Sequence, residues 1–208
     1  KDTQKDNCLH LGYVGQLETY GVDKGVHLVI NALEKAINEN PHSAQCGFVE
    51  VSIVGGPQES VEKINKLIEK NETKQNLKIK LKYLGQKKQS ELSPLIANFD
   101  IGIVPYPKEE HIALYSSPMK IFEYAACGIA IVASDIHAHK SLSKLGIGME
   151  LYEAENLDSL SDLLSKYLHN ENRHGESSLS SLSNKNISIR DSLSWELRGQ
   201  KTLDKLLN

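Results

Sequence analysis

The chain has 208 residues, of which 39% are hydrophobic and 25% charged, an ordinary globular composition with enough apolar material for a buried core. A net charge of −3 and a pI near 6.3 give no general basic surface, so nucleic acid is not an expected partner. No run approaches the roughly 18 apolar residues of a spanning helix, and no signal peptide is visible. Cys8, Cys46 and Cys127 are an odd set without CxxC or Cys/His spacing. That predicts reduced thiols in the cytoplasm, not a disulfide framework or a zinc site. The chain opens on Lys1 without a methionine and is read as a segment of a longer protein.

Short apolar runs alternate with helical periods. Leu9 to Val14 reads as a strand, followed by a helix with Val26, Val29, Ile30, Leu33 and Ile37 on one face. Val49 to Val54 is the next strand, and Val61, Ile64, Leu67 and Ile68 mark the next helix. Ile79 to Leu84, a helix around Leu92, Leu95 and Ile96, and Ile101 to Val104 continue the alternation. Ile129 to Ala133 and Gly148 to Tyr152 complete six strands, with a helix at Leu157 to Leu168 after them. Strands this apolar are buried on both faces. The alternation predicts an α/β fold, a doubly wound parallel sheet with its ligand loops at the carboxyl ends of the strands.

Glu171 to Asn186 is serine-rich with no clear period, which predicts a solvated loop. Trp195, Leu197, Leu203, Leu206 and Leu207 predict a terminal helix. The organisation expected is a Rossmann-like unit over 1–170, a polar connection over 171–194 and a C-terminal helix over 195–208.

The segment Ser116 to Asp135 is the most informative. Ser117 is suited to cap a helix whose first residue is Pro118, and Gly128 is suited to stop it before a buried strand. Free backbone N–H groups and the positive end of the helix dipole then face a cleft, with Lys120 and Glu123 one turn further in. An anionic group such as a phosphate fits there, which makes the segment a candidate nucleotide-sugar site.

Ser-Pro-x-Lys-x-Phe-Glu-Tyr before Gly128, an apolar strand and Ser134-Asp135 resembles the donor-binding helix of retaining GT-B glycosyltransferases. The likeness is to the nucleotide-sugar-dependent group 1 type, especially those that build bacterial surface polysaccharides. Gly12 to Gly15 followed by Lys24-Gly25-Val26 is similar to that family's first strand and phosphate-binding turn. Val51 to Pro57 and Leu81 to Gly85 resemble its second and third strands. Ser194-Trp195-Glu196 is similar to its final helix.

The resemblance implies a Rossmann-like half of a GT-B fold that takes a UDP- or GDP-sugar. Its diphosphate would lie on Gly15, Gln16, Lys24, Ser117, Met119 and Lys120. Lys24 matches the family's phosphate-binding lysine, whereas Gln16 stands where the family carries an arginine. Glu123 matches the glutamate that accepts hydrogen bonds from the ribose hydroxyls, a task suited to a carboxylate. Its plainer alternative is a helix salt bridge with Lys120. The first glutamate of the same motif falls at Tyr115, so the sugar contact it makes in the family does not transfer. The base would lie against Gly85, Gln86 and Lys87.

Catalytic residues and the acceptor, a glycan or a lipid-linked one, would belong to an N-terminal domain outside this chain. Such a protein is expected in the cytoplasm, with peripheral association at the inner face of the membrane. No cofactor and no metal are expected: Gly55-Gly56 lacks the GxGxxG spacing, and Glu109-Glu110-His111 is one short polar run without HxxxH spacing. His137 and His139 are expected as loop residues near the cleft mouth. The competing readings are a GT-B sugar-nucleotide epimerase and a non-catalytic nucleotide or phosphoprotein-recognition module.

Overall fold

The computed structural model describes residues 8–19, 21–39, 48–71, 78–109, 119–168, 179–193 and 204. Six strands form one sheet: β1 (His10–Gln16), β4 (Phe48–Gly56), β5 (Lys78–Tyr83), β6 (Ile101–Val104), β7 (Ala130–Ser134) and β8 (Met149–Tyr152). Their order is β5-β4-β1-β6-β7-β8, every neighbouring pair parallel. The expected doubly wound sheet is therefore the observed fold. Strand order reverses between β1 and β6, and ligands of such sheets bind at that switch point, outside the carboxyl ends of the strands.

The apolar periods become helices that cover both faces. On one side α1 (Val26–Glu39) packs between α2 (Gln58–Asn71) and α6 (Leu157–Leu168). Its stripe of Val29, Ile30, Leu33 and Ile37 is buried. On the other side α3 (Gln89–Ile96), α4 (Met119–Ala126) and α5 (His137–Ser143) enclose a second core around Phe99, Val104, Ile121, Tyr124 and Ile131. A two-residue hairpin, β2 (Glu18–Thr19) with β3 (Val22–Asp23), stands between β1 and α1.

β1 pairs with β4 along its whole length but with β6 only at Leu11↔Ile101 and Gly12↔Gly102. Beyond that point the Tyr124 side chain of α4 fills the gap. Its hydroxyl accepts the Val14 N–H at 3.0 Å and lies 3.3 Å from the Gly12 carbonyl, to which it donates. Gly102 makes this possible, because a Cβ there would sit 2.4 Å from the Tyr124 ring; Gly12 gives Phe99 the same room. The switch-point crevice opens where backbone pairing ends and the phenol takes over.

Three expectations are corrected. Within the serine-rich stretch expected as loop, Leu179–Ile189 form a helix, α7, continued by a 3₁₀ turn over Arg190–Leu193. The reason is tertiary: Leu179 and Leu182 bury one face, and the wholly buried Asn186 joins the amino ends of β7 and β8. Its carboxamide accepts the Gly148 N–H at 2.7 Å and donates to the carbonyls of Gly148 at 2.9 Å and Ile129 at 2.7 Å. Gly148 tolerates this because a Cβ would meet the Leu182 carbonyl at 2.2 Å. Second, Cys8 is disulfide-bonded, not a reduced thiol, and its partner lies outside the described residues; an odd cysteine count does not preclude one pair. Cys127 is the free, half-buried thiol, its pKa raised by burial.

Third, His137–Ser143 form α5 where a loop was expected. His139 is wholly buried, its Nδ1 donating to the Ser134 carbonyl at 2.8 Å, with its ring 5.5 Å from that of Tyr106. The remaining ring nitrogen has no partner among the described residues, and burial lowers the His139 pKa to about 4, only partly offset by the Ser134 bond and the Asp135 charge. The expected terminal helix around Trp195 lies outside the described residues.

Two stability predictions follow from these corners. Asn186→Ala strands three buried backbone groups and should cost at least about 2 kcal/mol in a urea titration. His139 is neutral when folded and protonates near the usual histidine value when unfolded, so between the two the unfolded chain binds more protons. Its contribution is complete above about pH 6.5 and is lost as pH falls toward about 4. The loss should reach roughly 3 kcal/mol, read as a pH series of unfolding midpoints, and His139→Leu should flatten it.

Candidate functional site

The carboxyl ends of β1 and β4 run side by side to Gly15↔Gly55 and Gln16↔Gly56. Gly15 and Gly55 have φ of 131° and 129°, and a Cβ on Gly55 would lie 2.1 Å from the Gly15 carbonyl oxygen. Glycine lets the chain turn here while the backbones stay in contact. Leu17 N–H donates to the Gly56 carbonyl at 2.8 Å, and Lys24 N–H to the Leu17 carbonyl at 2.8 Å, which closes the hairpin and brings Lys24 back over the strand ends.

Asp23 then shapes the start of α1, its carboxylate accepting the Gly25 N–H and facing His27 Nδ1 at 3.0 Å. Burial opposes that charge, yet the bonds from His27 and Gly25 hold its pKa below the usual range and raise that of His27. Gly25, at φ 83°, would place a Cβ 2.1 Å from the Pro105 carbonyl oxygen, so the start of α1 is pressed against the end of β6.

Two lysines meet across this junction. Lys24 Nζ lies 5.5 Å from the centre of the Tyr106 ring. Lys120, one turn before Tyr124 on α4, donates to the Tyr106 hydroxyl at 2.8 Å. It also runs beside Gly15, where a Cβ would come within 2.7 Å of Nζ. Neither lysine has a carboxylate within ion-pair distance among the described residues. Burial, followed by the Lys120 charge, lowers the Lys24 pKa; Glu109 and Asp23 offset this only in part. Two half-buried cations so placed, with no counter-ion among the described residues, could together receive an anion.

Glu123 forms no ion pair with Lys120, so the helix salt-bridge alternative is not what the side chains do. Its Oε1 instead accepts from Gln89 Nε2 at 3.2 Å, tying α4 to the start of α3. Gly85 has φ 67° with open space where its Cβ would be, and its carbonyl accepts the Gly55 N–H at 2.9 Å. Gln86 and Lys87 follow it on the surface, as do Gln16 and Met119 at their own element ends.

The structure thus gathers Gly15, Lys24, Lys120, Glu123 and Gly85 at one end of the sheet. Ser117, Tyr115, Glu110 and His111 lie outside the described residues. A cavity of about 480 Å³ opens beside the Lys24 turn, lined by Val22, Asp23, Gly25, Pro105, Pro107 and Glu109. Among the described residues no group of three or more His, Cys, Asp or Glu side chains is placed to hold a metal ion. Among them, too, no helix is long and apolar enough to cross a membrane.

Sequence reasoning overlooked Tyr106, Tyr124 and Gln89. Tyr106 sits in Pro105-Tyr106-Pro107 directly after a strand, and Tyr124 follows Lys120 at the one-turn spacing, a signal that was available.

The fold is a doubly wound α/β domain with two lysines brought together at its switch point. Residues 9–170 match the family model described as "Glycosyl transferases group 1", and the chain belongs to that family. No curated protein matches the sequence. Among solved structures, the chain is similar to HepE of Anabaena in complex with UDP and glucose, at 18% identity and a TM-score of 0.64, covering 97% of this chain and 48% of that one. A glycosyltransferase from Rickettsia africae gives 16% identity and a TM-score of 0.68, covering 96% of this chain and 47% of that one. The catalytic domain of cholesterol-α-glucosyltransferase from Helicobacter pylori gives 17% and 0.61, covering 89% of this chain and 99% of that one. The chain therefore spans about half the length of the first two, and the likeness is to the GT-B glycosyltransferase fold.

Proposed function

We propose that this chain is the C-terminal, donor-binding half of a retaining glycosyltransferase that takes its sugar from a UDP- or GDP-sugar. The acceptor, a glycan or a lipid-linked one, and the catalytic groups would come from an N-terminal domain. The observation that carries the reading is the lysine couple at the switch point, Lys24 and Lys120, which has no carboxylate partner among the described residues. Bond cleavage at the sugar leaves negative charge on the nucleoside diphosphate, and cations already in place lower the barrier by stabilising that charge as it grows. The cavity beside Lys24 leaves room for the sugar. Glu123 would take the ribose hydroxyls and the chain at Gly85, Gln86 and Lys87 the base. The structural relative from Anabaena, solved with UDP and glucose, supports this class of donor. In this reading the protein works in the cytoplasm at the inner face of the membrane, in surface-polysaccharide assembly, and the chain alone turns over little.

Ligand truncation tests these roles. Glu123→Ala should weaken uridine or guanosine as well as their diphosphates, whereas Lys24→Ala should spare the nucleoside and weaken the diphosphate. Each lost charged hydrogen bond is worth about 1.5 to 3 kcal/mol, or roughly ten- to a hundredfold in Kd. Calorimetry with and without EDTA should give the same affinities, since lysines meet the phosphate charge. Nucleoside affinity unchanged in a folded Glu123→Ala protein contradicts the ribose role, and binding only with added magnesium contradicts the lysine site.

A further inference from the structure

We propose that Tyr106 is a positioning residue that makes the two lysines into one diphosphate site, by holding the Lys120 ammonium at the β1 end. The inference rests on the anion role of that pair and extends it to a residue with no charge of its own. The end of β1 carries the neutral Gln16, so a positive charge at that strand end comes from another element. Lys120 supplies it across the crevice, past the bare Cα of Gly15.

A lysine side chain has four rotatable carbons and would otherwise extend into solvent, away from Lys24, because like charges repel. What opposes this is the Tyr106 oxygen, which accepts from Lys120 Nζ at 2.8 Å. Lys24 Nζ lies 5.5 Å from the centre of the same ring, close enough for the ring to attract a cation. Tyr106 itself is fixed. It is only 8% exposed, it belongs to the core around Ile121 and Phe122, and the buried His139 ring lies 5.5 Å away. One rigid ring therefore sets where both charges stand, so that an incoming diphosphate meets them already placed and less side-chain freedom is lost on binding.

Tyr106→Phe is the test, since it keeps the ring and removes the oxygen. Affinities for inorganic pyrophosphate, UDP, GDP, uridine and guanosine are measured by calorimetry on the wild type, Tyr106→Phe, Lys120→Met and the double variant, with melting temperatures alongside. Tyr106→Phe should weaken pyrophosphate and the diphosphate that binds by roughly tenfold, leave the nucleoside unchanged and keep a wild-type melting temperature. In the Lys120→Met background the same change should cost nothing further, because the phenol acts through that lysine. The inference is overturned if Tyr106→Phe binds pyrophosphate like the wild type, if its effect adds fully to that of Lys120→Met, if nucleoside affinity falls equally, or if the wild type does not bind pyrophosphate. Pyrophosphate binding that responds as expected, with no binding of UDP or GDP, would leave the role of Tyr106 standing and remove the nucleotide reading.

Discussion

The hydroxyl of Tyr124 on the Val14 N–H is the contact on which the site depends. A parallel sheet closed along β1 and β6 would satisfy its own backbone and leave no opening at the switch point. Here the ladder stops after Gly12↔Gly102, and the buried donor left over on β1 is met by a side chain from α4. The substitution of a phenol for a strand neighbour does two jobs. It satisfies a buried N–H that would otherwise cost on the order of 1 to 3 kcal/mol, and it fixes the rotation and height of α4 relative to the strand ends.

From that fixed point the chemistry is set by helix periodicity. Lys120 stands one turn before Tyr124 on the same face, so anchoring the tyrosine delivers the lysine to Gly15. Glu123, next to Tyr124 in sequence, is turned toward Gln89 instead. One helix thus addresses the β1 end with a cation and the α3 side with a carboxylate, the polarity that a nucleoside diphosphate presents in reverse, phosphate at one end and hydroxyl-bearing ribose at the other. The hairpin between β1 and α1 brings Lys24 to the same place from the opposite side, held by the Leu17 carbonyl and the Asp23 turn.

Much of this was legible in the sequence, and what was not has a physical reason. The strands were visible because they are apolar on both faces, and α6 falls on its predicted residues, Leu157–Leu168. Lys120 and Glu123 could be named in advance because a capped helix start is a local signal, and Gly15, Lys24 and Gly85 because their segments resemble motifs of the family. Helix α7 could not, since its serine-rich composition is helix-neutral and its stability comes from Asn186 bonding to backbone far away in sequence. The burial of His139 was hidden for the same reason: a histidine near a strand end reads as polar, and only the packing of α5 against Tyr106 removes it from water. Tyr106 and Tyr124 are buried aromatics whose hydroxyls carry the arrangement, through contacts that exist only once the chain has folded.

The central claim is that a diphosphate sits between Lys24 and Lys120, and NMR of the lysine ammonium groups tests it most directly. On adding UDP or GDP, the Nζ signals of both lysines should move together, exchange more slowly with water and saturate at the same ligand concentration. Saturable binding that leaves both ammonium signals where they were would place the diphosphate elsewhere and contradict the account.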